Sequence, residues 1–338
     1  MNLLSRLLLP PLLSIPLIAQ QPLNTVTLDV TVTERSGKPV PGLTQSNFTV
    51  LDNGKPQQIL SFSAIQGPAT DPPTQVILLI DTVNNSITNV AYERDQIATF
   101  LRKSGPTLSL PLSLIFFSDS GAQVQDTPST STDVLLAGLK EMETKLHTIN
   151  RASGFYGAAE RANLSLKTAG QIAAKEEQIP GRKLLIWISP GWAYLTGPDI
   201  NLSARNQQVI FSNLVGLANT FERARITLYS IDPLGVADEA TLRSSFYMEF
   251  LKGVESAPKV QQGNLALQVL AVHSGGKVIN TGSNIADEIA SCFADTSAFY
   301  VITVPRAVAE TPTLHSIQVK LSDPKLQART LFGYYAQP

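Results

Sequence analysis

Sulfur and imidazole are scarce in this sequence, which has one cysteine, Cys292, and three scattered histidines, His147, His273 and His315. One cysteine closes no internal disulfide, and the set is too thin for a structural zinc or iron–sulfur site. Any metal must therefore sit among oxygen ligands. Charge is scarce too: 16% of the 338 residues are charged, 26 basic against 27 acidic, with a formal net charge of −1. No global field gathers phosphates or anionic lipid, so nucleic acid and adsorbed membrane are excluded as expected partners. The chain also lacks a Gly-x-Ser-x-Gly elbow, a Gly-rich phosphate loop with Lys, a Gly-x-Gly-x-x-Gly turn and a His-Glu-x-x-His pair. No nucleotide and no catalysis are expected. Ser189, after an apolar run, is the nearest thing to a nucleophile, and it would need His147 or His273 to activate it.

Only the N-terminus carries an apolar run beyond strand length. Residues 1–21 read MNLLSRLLLPPLLSIPLIAQQ, with Arg6 ahead of an apolar stretch from Leu7 to Ala19. That stretch is too short to span a bilayer, and Pro10, Pro11 and Pro16 would break a membrane helix. Residues 1–20 are read as a cleaved secretory signal, with an uncleaved interfacial anchor as the alternative. The expected location is secreted or periplasmic, with membrane contact only through export. A cysteine-poor exported chain depends on core packing.

Three blocks follow. Residues 22–66 alternate Val, Leu and Phe with Thr around turns at Ser36-Gly37 and Asn53-Gly54, the pattern of half-buried antiparallel strands. Residues 74–294 change period: VILLID, LSLIFFSD, LLIWIS and ITLYSID are nearly continuous apolar runs separated by helix-compatible segments. Such runs suit strands covered on both faces, and their alternation with helices predicts a doubly wound, mostly parallel α/β sheet. Residues 297–338 return to strand character in SAFYVITV, TLHSIQVKL and QARTLFGYYA. Neither terminal block closes a two-sheet core by itself, so together they are expected to form one β-sandwich domain into which the α/β domain is inserted. Two separate β-caps on the central sheet are the alternative. In the last strand, Tyr334 and Tyr335 are expected to face opposite ways.

In a doubly wound sheet, ligands gather at the carboxyl ends of the strands, here Asp81, Asp119, Ser189 and Asp232. Asp119-Ser120-Gly121 is read as a turn, and Trp187 as core. Trp192 and Tyr194 follow Pro190-Gly191 on the same rim as Asp81, where aromatics anchor a partner or fold back over the sheet.

On these residues the sequence resembles a von Willebrand factor A domain, and more narrowly the VWFA-related Acidobacterial family of exported bacterial proteins. The likeness is carried by LDVTVTERSGKPVPGLTQSNFTVLDNGKPQQILSFS, VILLID, GRKLLIWISPGW, ITLYSIDP and HSIQVKLSDPKLQARTLFGYYA. It implies a nucleotide-free, non-enzymatic domain that binds a protein, matrix or envelope partner through a metal-ion-dependent adhesion site; the alternative is a structural subunit of a cell-envelope assembly that uses sandwich edge strands rather than the rim. The family pattern there is Asp-x-Ser-x-Ser, a Thr from a later loop and a second Asp. This chain keeps Asp81, has Val83 and Asn85 at the serines, Ser153 for Thr, and Pro190 for the second Asp. Valine and proline offer no side-chain ligand, so strong Mg²⁺ binding is not expected. A weak residual Mg²⁺ or Ca²⁺ site would use Asp81, Asn85 and Ser153. The expected partner-binding rim comprises Asp81, Asn84, Asn85, Ser86, Ser153, Ser189, Trp192 and Tyr194.

Overall fold

The computed structural model describes residues 24–67, 72–125, 127–143, 154–192, 201–233, 246–280 and 284–337. Strand β1 (Thr25–Thr33) shows why alternation matters: Val26, Leu28, Val30 and Val32 fall on one face and are fully buried. β2 (Phe48–Asp52) turns into β3 (Lys55–Pro56) through Asn53 and Gly54, both at positive φ (48° and 77°), as a two-residue hairpin of the primed type requires. β4 (Ser61–Gln66) completes the N-terminal block.

The central block alternates strand and helix. β5 (Gln75–Asp81) leads to α1 (Ile87–Lys103), β6 (Thr107–Ser118), the short β7 (Gly121–Val124) and β8 (Ser129–Ser131), then α2 (Thr132–Glu143) and α3 (Gly154–Glu176). β9 (Lys183–Ile188), α4 (Ala204–Arg223), β10 (Ile226–Ile231), α5 (Leu267–His273), β11 (Val278–Ile279) and α6 (Ile285–Ala294) follow. The strand order is β11-β10-β9-β5-β6-β7, with β8 also on β6. Every neighbouring pair from β11 to β6 is parallel, and β7 and β8 run antiparallel to β6. The fold is therefore α/β with a doubly wound, mostly parallel sheet.

The nearly continuous apolar runs are explained by two cores. One face of the sheet presents Leu79, Phe117, Leu185 and Trp187 to α3, α4 and α5; the other presents Leu78, Ile80, Phe116 and Ile186 to α1, α2 and α6. Serine caps set the starts of α1 and α4. Ser86 Oγ accepts from the Asn89 N–H (3.1 Å), so α1 begins at Ile87, and Ser203 does the same for α4 from Asn206 (3.2 Å).

β12 (Ala298–Pro305), β13 (Thr313–Leu321), β14 (Gln327–Arg329) and β15 (Gly333–Ala336) complete two four-stranded sheets, β14-β1-β12-β4 and β15-β13-β2-β3. Side chains of both sheets share one apolar cluster that includes Val30, Val50, Tyr300, Ile302, Ile317 and Tyr334. The closing segment QARTLFGYYA, read as a single strand, is two strands in different sheets. The crossing lies at Thr330–Phe332, where the Phe332 N–H bonds to the His273 carbonyl (2.8 Å) and Gly275, at φ 86°, lies against the Thr330 backbone. Tyr334 and Tyr335 do face opposite ways, yet neither meets solvent. Tyr334 joins the cluster between the small sheets and Tyr335 the α4 side of the central sheet. Alternation locates the two faces of a strand, but it does not say that a helix covers the outer one.

Candidate functional site

α1 leaves β5 toward one face of the central sheet, and α4 leaves β9 toward the other. The chain thus reverses its winding between β5 and β9, and the crevice at their carboxyl ends is the expected ligand position in such a sheet. Two loops form it, Asp81 to Ser86 and Ser189 to Trp192.

Asp81 ends β5 and is fully buried. Its Oδ1 accepts the backbone N–H groups of Val83 and Asn84 (both 2.9 Å), and its Oδ2 accepts Asn84 Nδ2 (2.8 Å) and Trp187 Nε1 (3.1 Å). Four donors match the four lone-pair positions of a carboxylate. Burial pushes the Asp81 carboxyl above its ordinary range, and the bonds from Asn84, Trp187 and Ser189 oppose that shift. Asn84 Nδ2 also reaches Ser165 Oγ on α3 (2.9 Å), tying the loop to the helix beneath it.

Asn85 is turned inward. Its Nδ2 donates to Glu93 Oε1 on α1, and its Oδ1 accepts from the Ser86 N–H (3.1 Å) and Asn89 Nδ2 (3.0 Å). Glu93 is wholly buried, and its other oxygen has no hydrogen-bond partner. Burial first, and then the nearby Asp81 charge, raise its pKa well above the ordinary value; Asn85 lowers it and Asp232 raises it further. Sequence reasoning missed Glu93. The signal was present, because Glu93 falls between Val90 and Ile97 on the buried stripe of α1.

Across the crevice, Ser189 is fully buried, and its Oγ accepts from the Gly191 N–H (3.1 Å). Gly191 sits at φ 91°, and a Cβ there would meet Gln268 Nε2 at 2.6 Å. Gln268 holds the loop by donating to the Pro190 carbonyl (3.2 Å). Trp192 is 2% exposed; it packs edge-on against Trp187 with ring centres 5.2 Å apart and donates its indole N–H to the Leu265 carbonyl (2.7 Å). It braces the rim from below, so of the two readings left open for Trp192 the structure shows the one folded back over the sheet.

Among the expected rim residues, Asp81, Asn85, Ser189 and Trp192 are buried, Asn84 is half-buried and Ser86 is exposed. Ser153 and Tyr194 lie outside the described residues. The exposed crest is Ser86-Ile87-Thr88, where Ile87 is 65% exposed. Asp119 sits exposed on the β6–β7 turn. His273 bonds through Nε2 to the Leu251 carbonyl (2.9 Å) and stacks on Phe332, so it is engaged away from Ser189. His147 lies outside the described residues.

A divalent cation needs carboxylate lone pairs facing the ion. Those of Asp81 face N–H groups, Asn85 is committed to Glu93 and α1, and Val83 is 4% exposed within the apolar cluster. No three His, Cys, Asp or Glu side chains converge on a metal position among the described residues. Of the three expected ligands, Asp81 and Asn85 are thus engaged by protein partners, and Ser153 lies outside the described residues.

No protein-family model matches the sequence, and no curated protein is detectably similar to it. Similar solved structures include an aerotolerance-related membrane protein from Bacteroides fragilis (13% identity, 64% of this chain and 96% of that chain, TM-score 0.33). Manganese-loaded TRAP protein from Plasmodium vivax is another (10% identity, 80% and 96%, TM-score 0.38). A mutant of the PilB minor pilin from Streptococcus sanguinis is a third (10% identity, 82% and 80%, TM-score 0.36). Identities and scores this low assign neither a family nor a function.

Proposed function

We propose that this chain is an exported, non-enzymatic protein-interaction or adhesion module. It is a von Willebrand factor A-like protein of the VWFA-related Acidobacterial kind whose metal-ion-dependent adhesion site is degenerate. Its strands in 22–66 and 297–338 make one discontinuous β-sandwich domain around the α/β domain of residues 74–294. Residues 1–20 direct export, so the partner is a protein of the envelope or extracellular matrix, and neither nucleotide nor nucleic acid is involved. Recognition uses the crest above the crevice through Ser86, Ile87 and Thr88, an exposed apolar side chain flanked by hydroxyls.

The observation that supports this reading most is the inward satisfaction of Asp81 by four N–H donors. A carboxylate so occupied serves as the fastening of a loop, and the loop then offers shape and apolar contact in place of a metal. Titration calorimetry with Mg²⁺, Mn²⁺ and Ca²⁺ tests it directly. No binding is expected at micromolar concentrations, and micromolar binding abolished by Asp81→Ala would overturn the degenerate site. Crosslinking in the native host, with contacts mapped to residues 86–88 or elsewhere, tests the interaction surface.

A further inference from the structure

Sheet edges invite other strands, and most edges in this molecule are blunted. β3 has two residues, Lys55 and Pro56, the charge and the imino acid that discourage pairing. β14 has three, with Arg329 held by Asp295. β15 is clasped by α4, whose Asn219 side chain bonds both the N–H and the carbonyl of Tyr335 (2.9 Å each). β11, β7 and β8 have two, four and three residues.

β4 differs from all of these. Its six residues, SFSAIQ, make it the longest edge strand among the described residues, and its register with β12 is unbroken over six pairs. From Gln57 to Gly67 the sequence QQILSFSAIQG carries no charge and no proline. Ser61, Ser63, Ala64 and Gln66 are exposed, as is Leu60 just before them. Phe62 anchors the strand inward against Phe48 and Tyr300.

The direction of the unpaired groups follows from register. Gly67 donates to the Ser297 carbonyl opposite it (2.8 Å), so the hydrogen-bonded pairs with β12 fall on odd residues. The N–H and carbonyl groups of Phe62, Ala64 and Gln66 therefore point away from β12. An antiparallel mate meeting these groups is centred on Ala64.

We propose that β4 pairs with β4 of a second copy of this chain, antiparallel about a two-fold axis at Ala64, joining two four-stranded sheets into one of eight. A two-fold contact must be self-complementary. A charged edge meets its own sign across or beside the axis, and this one has no charge to repel. Ala64, the smallest side chain of the strand, faces its own mate, and Phe62 of each copy faces Gln66 of the other.

Sedimentation equilibrium of the full-length chain across the micromolar range tests this. The chain is expected to dimerise. Ala64→Pro removes an outward N–H without touching a bond to β12, and Ala64→Lys sets two ammonium groups face to face. Both are expected to be monomeric, with an unfolding midpoint matching that of the wild type at concentrations low enough for it to be monomeric too. Ala64→Cys is expected to form an intersubunit disulfide on mild oxidation, because hydrogen-bonded antiparallel partners lie about 5.5 Å apart at Cα, within disulfide range. Cys292 is buried and does not compete. A wild-type chain that stays monomeric, a dimer that survives Ala64→Lys, or a dimer in which Ala64→Cys fails to crosslink would each overturn the proposal.

Discussion

The indole nitrogen of Trp187 donates to Oδ2 of Asp81 across 3.1 Å, between neighbouring strands of the central sheet and beneath the crevice where a ligand would enter. Both side chains are wholly buried. A hydrogen bond to a buried carboxylate contributes about 1.5–3 kcal/mol, and among the described residues the indole N–H makes no other hydrogen bond. A double-mutant cycle of Trp187→Phe and Asp81→Asn, followed by urea unfolding, is expected to show coupling of about 1–2 kcal/mol. Strictly additive effects would mean that the pair is a contact without energetic consequence.

Placing serines at positions 83 and 85 is expected not to create a metal site. Val83 is packed with Phe117, Trp187 and Trp192, so Val83→Ser buries a hydroxyl there and costs about 1–3 kcal/mol. The triple change Val83→Ser, Asn85→Ser and Pro190→Asp leaves the Asn84 and Trp187 donors still on Asp81. Calorimetry of that variant should show no micromolar Mg²⁺ binding; adding both Trp187→Phe and Asn84→Ala is the step expected to free Oδ2. Tight binding by the triple variant alone would refute the account.

Glu93 sets a pH dependence whose sign is fixed by its environment. Its carboxyl titrates near 4.5 when unfolded and well above that when folded, chiefly through burial and the Asp81 charge. Between those values the native state holds the extra proton, so this group's contribution to stability falls as pH rises and levels off above the folded pKa. Asp81, also raised, adds a slope of the same sign. Glu93→Gln keeps an oxygen for Asn85 and removes the titration. The variant should be more stable than wild type near pH 8, by about 1.4 kcal/mol for each pH unit of elevation, and nearly equal to it near pH 4.5. Parallel stability curves for the two proteins would show that Glu93 is charged in the fold.

Much of this architecture was legible because its signals are local. VILLID, LLIWIS and ITLYSID are buried on both faces, so each shows its burial as a continuous apolar run in its own few residues, and Asn53-Gly54 specifies its own hairpin. That Val83 and Pro190 offer no side-chain ligand is read equally locally, from the residue types. What escaped depends on distant partners. The direction of Trp192 was open in the sequence, and the Leu265 carbonyl, 73 residues away, decides it by accepting its N–H. The outer face of β15 is covered because Asn219 of α4 grips Tyr335. Glu93 stood in plain view as an acid on an apolar stripe, but only its pairing with Asn85 places it beneath the crevice.

The same distant pairing fastens the small sheets to the central one. Asp295, 1% exposed between α6 and β12, accepts from Arg329 Nη2 of β14 (2.5 Å), Lys277 Nζ (3.0 Å) and the Tyr229 hydroxyl of β10 (2.9 Å). Burial alone would raise its pKa, but Arg329 and Lys277 hold the carboxyl below the ordinary range. A depressed folded pKa contributes stability that is full above the unfolded value and is lost as pH falls through the folded one. Arg329→Met leaves the buried carboxylate with Lys277 and Tyr229 only, and should cost about 3 kcal/mol at neutral pH. As acid protonates Asp295 the deficit should shrink, so the two unfolding midpoints converge below about pH 4. A deficit that stays constant with pH would mean that Arg329 acts through packing over the Tyr229 ring, 5.8 Å away, rather than through charge.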